Sequence, residues 1–201
     1  MAKAAFCLLL WLHAGWSGAV ISRAPSAHQW FSYHNRRFNF CIQFPPHWYH
    51  DESFNGDGIH LVPSDEKAFR QPPVIRAYAG ISQPSERDET RLQDLEEIHA
   101  VLLGALAEYW NAVDIVVLQK QYITVRGVRA LDSTFQYKDS SSNKVWIERS
   151  ISLIYAGDVY SLDLKCSPDD ATSLLPTFER FLRSLRLHCS KHGQVRNNAD
   201  K

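Results

Sequence analysis

The chain has 201 residues, carries 22 basic and 22 acidic side chains, and is 45% hydrophobic. This size and composition predict one compact domain. Nucleic-acid-binding proteins carry a basic surplus or a basic patch. Here the basic and acidic residues are interleaved in a nearly neutral chain, so nucleic acid is not an expected partner.

The N-terminus has the three parts of an export signal. Lys3 supplies a positive start, residues 6–12 are apolar, and Ser17, Gly18 and Ala19 are small residues that suit signal peptidase. The apolar run is broken well before the roughly 20 residues that a membrane-spanning helix needs. We therefore predict a signal peptide at 1–19, a periplasmic or secreted location, and no stable membrane span in the mature form.

Residues 20–30 show no clear period and are predicted to be a short leader. From Phe38 to Phe44 the apolar residues alternate, which predicts a strand. Pro45 and Pro46 end it, because proline cannot donate to a β-ladder. A second short strand is predicted at 48–50. Asn55-Gly56-Asp57-Gly58 is a strong turn signal, and further strands are predicted at 59–62 and 74–81.

The middle of the chain has a helical period. Apolar residues recur at three- and four-residue steps, at Leu92, Leu95, His99, Leu102, Leu106 and Tyr109. Alternation then returns and predicts four strands, at 115–125, 128–137, 145–156 and 159–166. The short turns between them make neighbouring strands antiparallel.

A last helix is predicted from about residue 171 to 187. Asp169 and Asp170 are expected at its N-cap. Pro176 is expected either at the start of the helix proper or at a kink. The polar residues 190–201 are predicted to be a disordered tail.

The order of strands, helix, four-strand meander and helix predicts one α+β domain at residues 31–189 with a mainly antiparallel sheet and two principal helices. The chain resembles the PsbP-like superfamily, which includes the DcrB-like domains. The residues that carry the resemblance are 33–40, 44–48, 55–58 and 178–187. The resemblance implies an α/β/α sandwich. It also implies a non-enzymatic role as an accessory subunit, assembly factor, chaperone or partner binder. Because no thylakoid-type transit segment is present, a bacterial envelope protein is the better analogue.

Three cysteines remain after export: Cys41, Cys166 and Cys189. An odd number in an oxidising compartment indicates one disulfide and one free or intermolecular thiol. The predicted last helix holds Cys166 and Cys189 too far apart to bridge unless the tail folds back. Cys41 is therefore expected to pair with either Cys166 or Cys189. Three unpaired buried cysteines are the alternative.

The sequence gives little indication of catalytic chemistry. It contains no nucleophile elbow, P-loop or dinucleotide-binding glycine motif, so we predict no enzyme activity, no catalytic residue and no cofactor. His47, His50 and His60 are candidate metal ligands. They are more simply surface and loop histidines, because the ligand set is incomplete.

Three aromatic residues are candidates for contact with a partner: Trp48, Tyr49 and Trp146. Trp146 shares its strand parity with Glu148, Ser150 and Ser152, which predicts an exposed or half-covered ring. Tryptophan is also enriched at interfaces.

Together these features predict an exported, non-enzymatic protein of the bacterial envelope that binds a protein partner as an accessory, chaperone-like, assembly or immunity factor. Two alternatives are a small-ligand or metal-binding envelope protein that uses the three histidines, and a hydrolase on an unusual scaffold.

Overall fold

A computed structural model describes residues 29–52, 56–63, 72–81 and 88–189. The predicted signal peptide, nearly all of the predicted leader, Asn55 and the predicted disordered tail lie outside the described residues. Neither helix in the described ranges is long and apolar enough to cross a membrane.

Two antiparallel sheets form the domain. The smaller has the order β1-β2-β10 and contains β1 (Phe31–Asn35), β2 (Phe40–Phe44) and β10 (Arg186–Leu187). The larger has the order β3-β4-β5-β9-β8-β7-β6. Its strands are β3 (Tyr49–Asp51), β4 (Gly58–Val62), β5 (Val74–Ile81), β6 (Ala112–Val125), β7 (Val128–Asp139), β8 (Val145–Tyr155) and β9 (Asp158–Cys166).

The two helices cover opposite faces of the larger sheet. Helix α1 (Asp88–Tyr109) packs Leu95 against Leu131 and Ile154. Helix α2 (Pro168–Ser184) packs Phe178 and Phe181 into the main core, which includes residues of the other strand parity and much of the smaller sheet. The chain is therefore an α+β domain with two helices and a mainly antiparallel sheet, as predicted.

The segment that carries the resemblance is tied to the turn before β4. The Tyr33 hydroxyl donates to the Gly58 carbonyl at 3.0 Å, and Asn35 Nδ2 donates to the Gly56 carbonyl at 2.9 Å. A Cβ at Gly58 would lie 2.1 Å from the Ala77 carbonyl oxygen. Gly58 is therefore required because the backbone of β5 comes so close.

Two sequence predictions about the ends of elements are corrected. Strand β1, whose residues 31–35 have no clear period and were not predicted to form a strand, pairs with all of β2. Helix α2 begins at Pro168 and continues through Pro176, so the helix proper does not start at Pro176. The N-cap is Ser167, and Asp169 and Asp170 lie in the first turn.

Candidate partner-binding surface

The face of the larger sheet that α1 covers carries a buried charge cluster. Arg76 of β5 lies 2.7 Å from Glu148 of β8 (Nη2 to Oε1) and 3.9 Å from Asp163 of β9 (Nε to Oδ2). Tyr137 OH donates to Glu148 Oε2 at 3.3 Å, and both carboxylate side chains are almost fully buried. Strand pairing places Arg76 opposite Asp163 and Glu148 opposite Lys165.

The cluster contains two positive and two negative side chains, so each charge has an opposite one nearby. Burial raises the pKa of Glu148, and the Arg76 guanidinium opposes that rise. Burial lowers the pKa of Lys165, and Glu148 opposes that change. Pairing with opposite charges offsets part of the cost of burying these side chains.

Three aromatic rings surround the Lys165 ammonium. Its Nζ lies 5.0 Å from the ring centre of Trp110, 5.1 Å from that of Tyr137 and 5.6 Å from that of Trp146. All three distances are within the roughly 6 Å range of a cation–π interaction. The lysine is 8% exposed, so the rings and the charge cluster enclose it.

Trp110 and Trp146 lie between the buried charge cluster and the molecular surface. Trp110 follows the last residue of α1 and is 50% exposed, while Trp146, on β8, is half-buried. Lys144 lies 5.9 Å from the Trp146 ring centre. We call Trp110, Trp146 and the enclosed Lys165 the aromatic patch. It combines exposed aromatic area with an enclosed charged side chain.

The opposite face has a cleft of about 330 Å³ between α2 and strands β6–β9. Arg149 in its wall binds Asp132 through two contacts of 2.9 Å and binds Glu179 of α2 at 2.5 Å. Cys166 also lines the cleft. Burial raises the pKa of its thiol to about 11. The cysteine is therefore protonated near neutral pH and is a poor nucleophile.

Comparison with known proteins identifies the fold. No protein-family model matches the sequence, and no curated protein is similar to it in sequence. The solution structure of cyanobacterial PsbP (CyanoP) from Synechocystis sp. PCC 6803 is similar, with a TM-score of 0.60 and 10% identity, over 85% of this chain and 98% of CyanoP. The chain has the PsbP-like fold.

A second similar structure is LpqN of Mycobacterium tuberculosis, a protein involved in cell envelope biogenesis. Its TM-score is 0.50 at 14% identity, over 80% of this chain and 91% of LpqN. At such low identities the similarity shows the PsbP-like fold alone. The function of this chain has to be argued from its own residues.

The three predicted partner-contact residues lie in different environments of the PsbP-like domain. Trp146 is half-covered, as predicted, and belongs to the aromatic patch. Its strand neighbours Glu148, Ser150 and Ser152 are buried, because α1 covers that face. Trp48 is only 6% exposed and lies in the main core, so it offers no surface to a partner. Tyr49 is half-buried on edge strand β3.

The three candidate metal ligands are not brought together. His50 is opposite Leu61 and His60 is opposite Asp51 in the β3–β4 pairing, so these two side chains lie on opposite sheet faces. His60 is also opposite Arg76 on β5, and that positive charge disfavours a bound cation. His47 is exposed in the turn after β2.

The disulfide joins Cys41 to Cys189, which was one of the two predicted pairings, and Cys166 is a free, buried thiol. The return of the chain through β10 brings Cys189 to β2. The Cα atoms of the bridged pair are 6.0 Å apart.

Sequence reasoning missed Trp110, Lys165 and a buried serine–histidine pair. Lys165 and Asp163 are charged residues within β9, and this was the available signal. His99 Nε2 lies 2.7 Å from Ser133 Oγ beneath α1. Both side chains are buried, so a substrate carbonyl has no path to the serine.

Proposed function

We propose that this chain is an exported accessory protein without enzymatic activity, and that it binds a protein partner through the aromatic patch. The observation that carries the proposal is the half-exposed Trp110 ring beside Trp146 over an enclosed lysine. Tryptophan and tyrosine are enriched at the energetic centres of interfaces. Both rings lie within cation–π range of Lys165, and this contact limits the side-chain freedom that they would lose on binding.

Export is supported by the signal-like N-terminus and by the Cys41–Cys189 disulfide, since disulfides persist in oxidising compartments. The likeness to LpqN, a protein involved in cell envelope biogenesis, agrees with a role in the envelope. We infer that the mature chain works there as an assembly, chaperone-like or immunity factor.

The proposal that the chain has no enzymatic activity rests on the burial of its candidate nucleophiles. In the described ranges, the free thiol is buried with a raised pKa, and the Ser133–His99 pair lies beneath a helix. Nucleophilic catalysis needs a base and an orienting group in contact with an accessible nucleophile. These residues do not meet that condition, so hydrolysis is a weaker proposal than binding.

Site-specific photocrosslinking in the native envelope tests the proposal. A benzophenone amino acid replaces Trp110, and the matched control replaces Phe31, which is an aromatic residue of equal exposure (51% against 50%) on the smaller sheet. We expect irradiation to give one discrete adduct with a protein at position 110 and none at position 31. Adding Trp146→Ala to the position-110 probe should weaken the adduct at least several-fold.

Two results would overturn the proposed surface. One is the same adduct pattern at positions 31 and 110. The other is an adduct at 110 whose yield is unaffected by Trp146→Ala in a folded variant. Thermal unfolding of each variant, measured before crosslinking, establishes that the compared proteins are folded.

A further inference from the structure

The disulfide lies beside a histidine in a three-residue cluster. Strand pairing places His34 of β1 opposite Cys41 of β2. The chain leaving β10 is fixed next to them, because the backbone N–H groups of His188 and Cys189 donate to the Asn39 carbonyl at 3.0 and 3.3 Å. As a result, one nitrogen of His34 and the sulfur atoms of Cys41 and Cys189 all lie within 4.8 Å of one another.

Once the S–S bond is broken, these three side chains are close enough together to bind a single zinc ion. Zinc binds thiolate sulfur at about 2.3 Å and imidazole nitrogen at about 2.0–2.1 Å in tetrahedral sites, which places two sulfur ligands about 3.8 Å apart. In the disulfide the two sulfur atoms are covalently bonded and closer than this, so they must move apart once the bond is broken. The Cα atoms of Cys41 and Cys189 are 6.0 Å apart, and His34 is opposite Cys41 in the β1–β2 pairing. Within the described part of the chain, these three are the group of metal-binding side chains that lies this close together.

Asn39 can orient the imidazole. Its Oδ1 lies 3.4 Å from His34 Nε2, and its Nδ2 lies 3.2 Å from His188 Nδ1. When His34 Nε2 donates to Asn39, the other ring nitrogen keeps its lone pair for a metal. Such an outer hydrogen bond fixes the tautomer of most metal-binding histidines.

We propose that reduction of the Cys41–Cys189 bridge converts this corner of the domain into a zinc site. A dithiol reductant gives two electrons and two protons to the disulfide, the S–S bond breaks, and the reductant becomes a disulfide. Zinc then binds the two thiolates and His34, and the two thiol protons are released. The fourth position is left for water or another ligand. The oxidised protein has no thiolate to offer and does not form the site.

The zinc content of the mature chain, measured in the oxidised and in the reduced state, tests the proposed zinc site. The oxidised protein and the protein reduced with a phosphine are dialysed against Zn²⁺, and zinc per chain is measured. We expect one zinc per reduced chain and none per oxidised chain. Cobalt substitution adds a spectroscopic test, since a thiolate-to-cobalt charge-transfer band should appear in the reduced protein and be lost in Cys41→Ser.

Matched variants separate this site from adventitious binding. His34→Ala should weaken zinc binding of the reduced protein at least tenfold, whereas His47→Ala, which removes an exposed histidine elsewhere, should leave it unchanged. Cys166→Ala, at the buried free thiol, should also bind normally. Equal zinc binding by oxidised and reduced protein, or equal loss in the two histidine variants, would overturn the site.

Circular dichroism covers the case in which the reduced chain unfolds. Metal binding to a site that exists only in the folded state supplies folding free energy. Zinc should then restore the native spectrum of reduced wild-type protein and fail to restore that of His34→Ala. Failure to restore the wild-type spectrum would count against the proposal.

Discussion

Arg76 holds the charge cluster together at the scale of single residues. Its guanidinium lies between Glu148 and Asp163, which are both almost fully buried. Removing one partner of a buried ion pair leaves the other charge without compensation, and this typically costs about 3–5 kcal/mol. The exposed Arg37–Asp57 pair has the same chemistry in water, where an ion pair contributes about 0–1 kcal/mol.

We therefore predict that Arg76→Met lowers the free energy of unfolding by about 3–5 kcal/mol. The matched Arg37→Met should lower it by less than about 1 kcal/mol. Urea denaturation followed by tryptophan fluorescence measures both. Equal effects of the two substitutions would show that the buried cluster is not a stability determinant.

We expect two histidines with lowered pKa values to make stability depend on pH. Burial, with a smaller contribution from Arg76, lowers the pKa of His60 to about 4, and burial also lowers the pKa of His99. The unfolded-state pKa is about 6.5. Below that pH the unfolded chain binds more protons than the native one, so the free energy of unfolding falls as the pH falls.

We predict that the unfolding temperature falls as the pH is lowered from 6.5 to 4. His60→Gln cannot titrate and should make that decline shallower, while the exposed His47→Gln should follow the wild-type curve. Scanning calorimetry at half-unit pH steps provides the comparison. If His60→Gln leaves the slope unchanged, His60 does not contribute to the pH dependence.

At the scale of elements, the start of α2 is fixed by Ser167. Its Oγ accepts from the Asp170 N–H at 3.2 Å and donates to Asp170 Oδ2 at 2.7 Å, and Pro168 is the first helical residue. Serine at an N-cap typically stabilises a protein by about 1 kcal/mol relative to alanine.

Ser167→Ala should thus cost about 1 kcal/mol in urea denaturation. Ser173→Ala is the matched control, because Ser173 lies inside α2 and its hydroxyl donates only to the Asp170 carbonyl of the preceding turn. Removing it should change stability by less than about 0.5 kcal/mol. A larger loss in Ser173→Ala than in Ser167→Ala would contradict this assignment of the cap.

The elements that sequence reasoning found are those with local signals. Two-residue turns join β6 to β7 (Arg126-Gly127) and β8 to β9 (Ala156-Gly157), and the longer turn 140–144 joins β7 to β8. Both residues of each two-residue turn have positive φ. Such turns match the twist of paired strands and favour glycine, so a glycine between two alternating runs was enough to predict them.

The elements that were missed depend on distant parts of the chain. Strand β1 is recognised only through its pairing with β2, and β10 pairs with β2 from the far end of the sequence. Likewise Trp110 and Lys165 meet only when α1 has packed on the sheet. The periodicity of apolar residues predicts which face of a single helix or strand is buried. It does not predict which elements become neighbours.

At the scale of the whole molecule, the two ends of the described domain are joined to each other. The Cys41–Cys189 bridge closes a sequence separation of 148 residues, and β10 pairs with β2 at the same place. A cross-link over so long a loop removes much of the conformational freedom of the unfolded chain. Arg126 supports this junction, since its Nε donates to the Leu185 carbonyl at 2.6 Å.

Replacing both bridge cysteines by serine should therefore lower the free energy of unfolding by about 2–5 kcal/mol, mainly because the unfolded chain gains freedom. The measurement is urea denaturation in the presence of a chelator, so that no zinc contributes. Adding reductant should destabilise the wild type to a similar extent and leave the double variant unchanged. The bridge would be shown to contribute nothing to global stability if reductant shifted neither the wild-type midpoint nor its cooperativity. Because Cys166 is buried and unpaired, any reductant effect that survives in the double variant would have to come from outside the bridge.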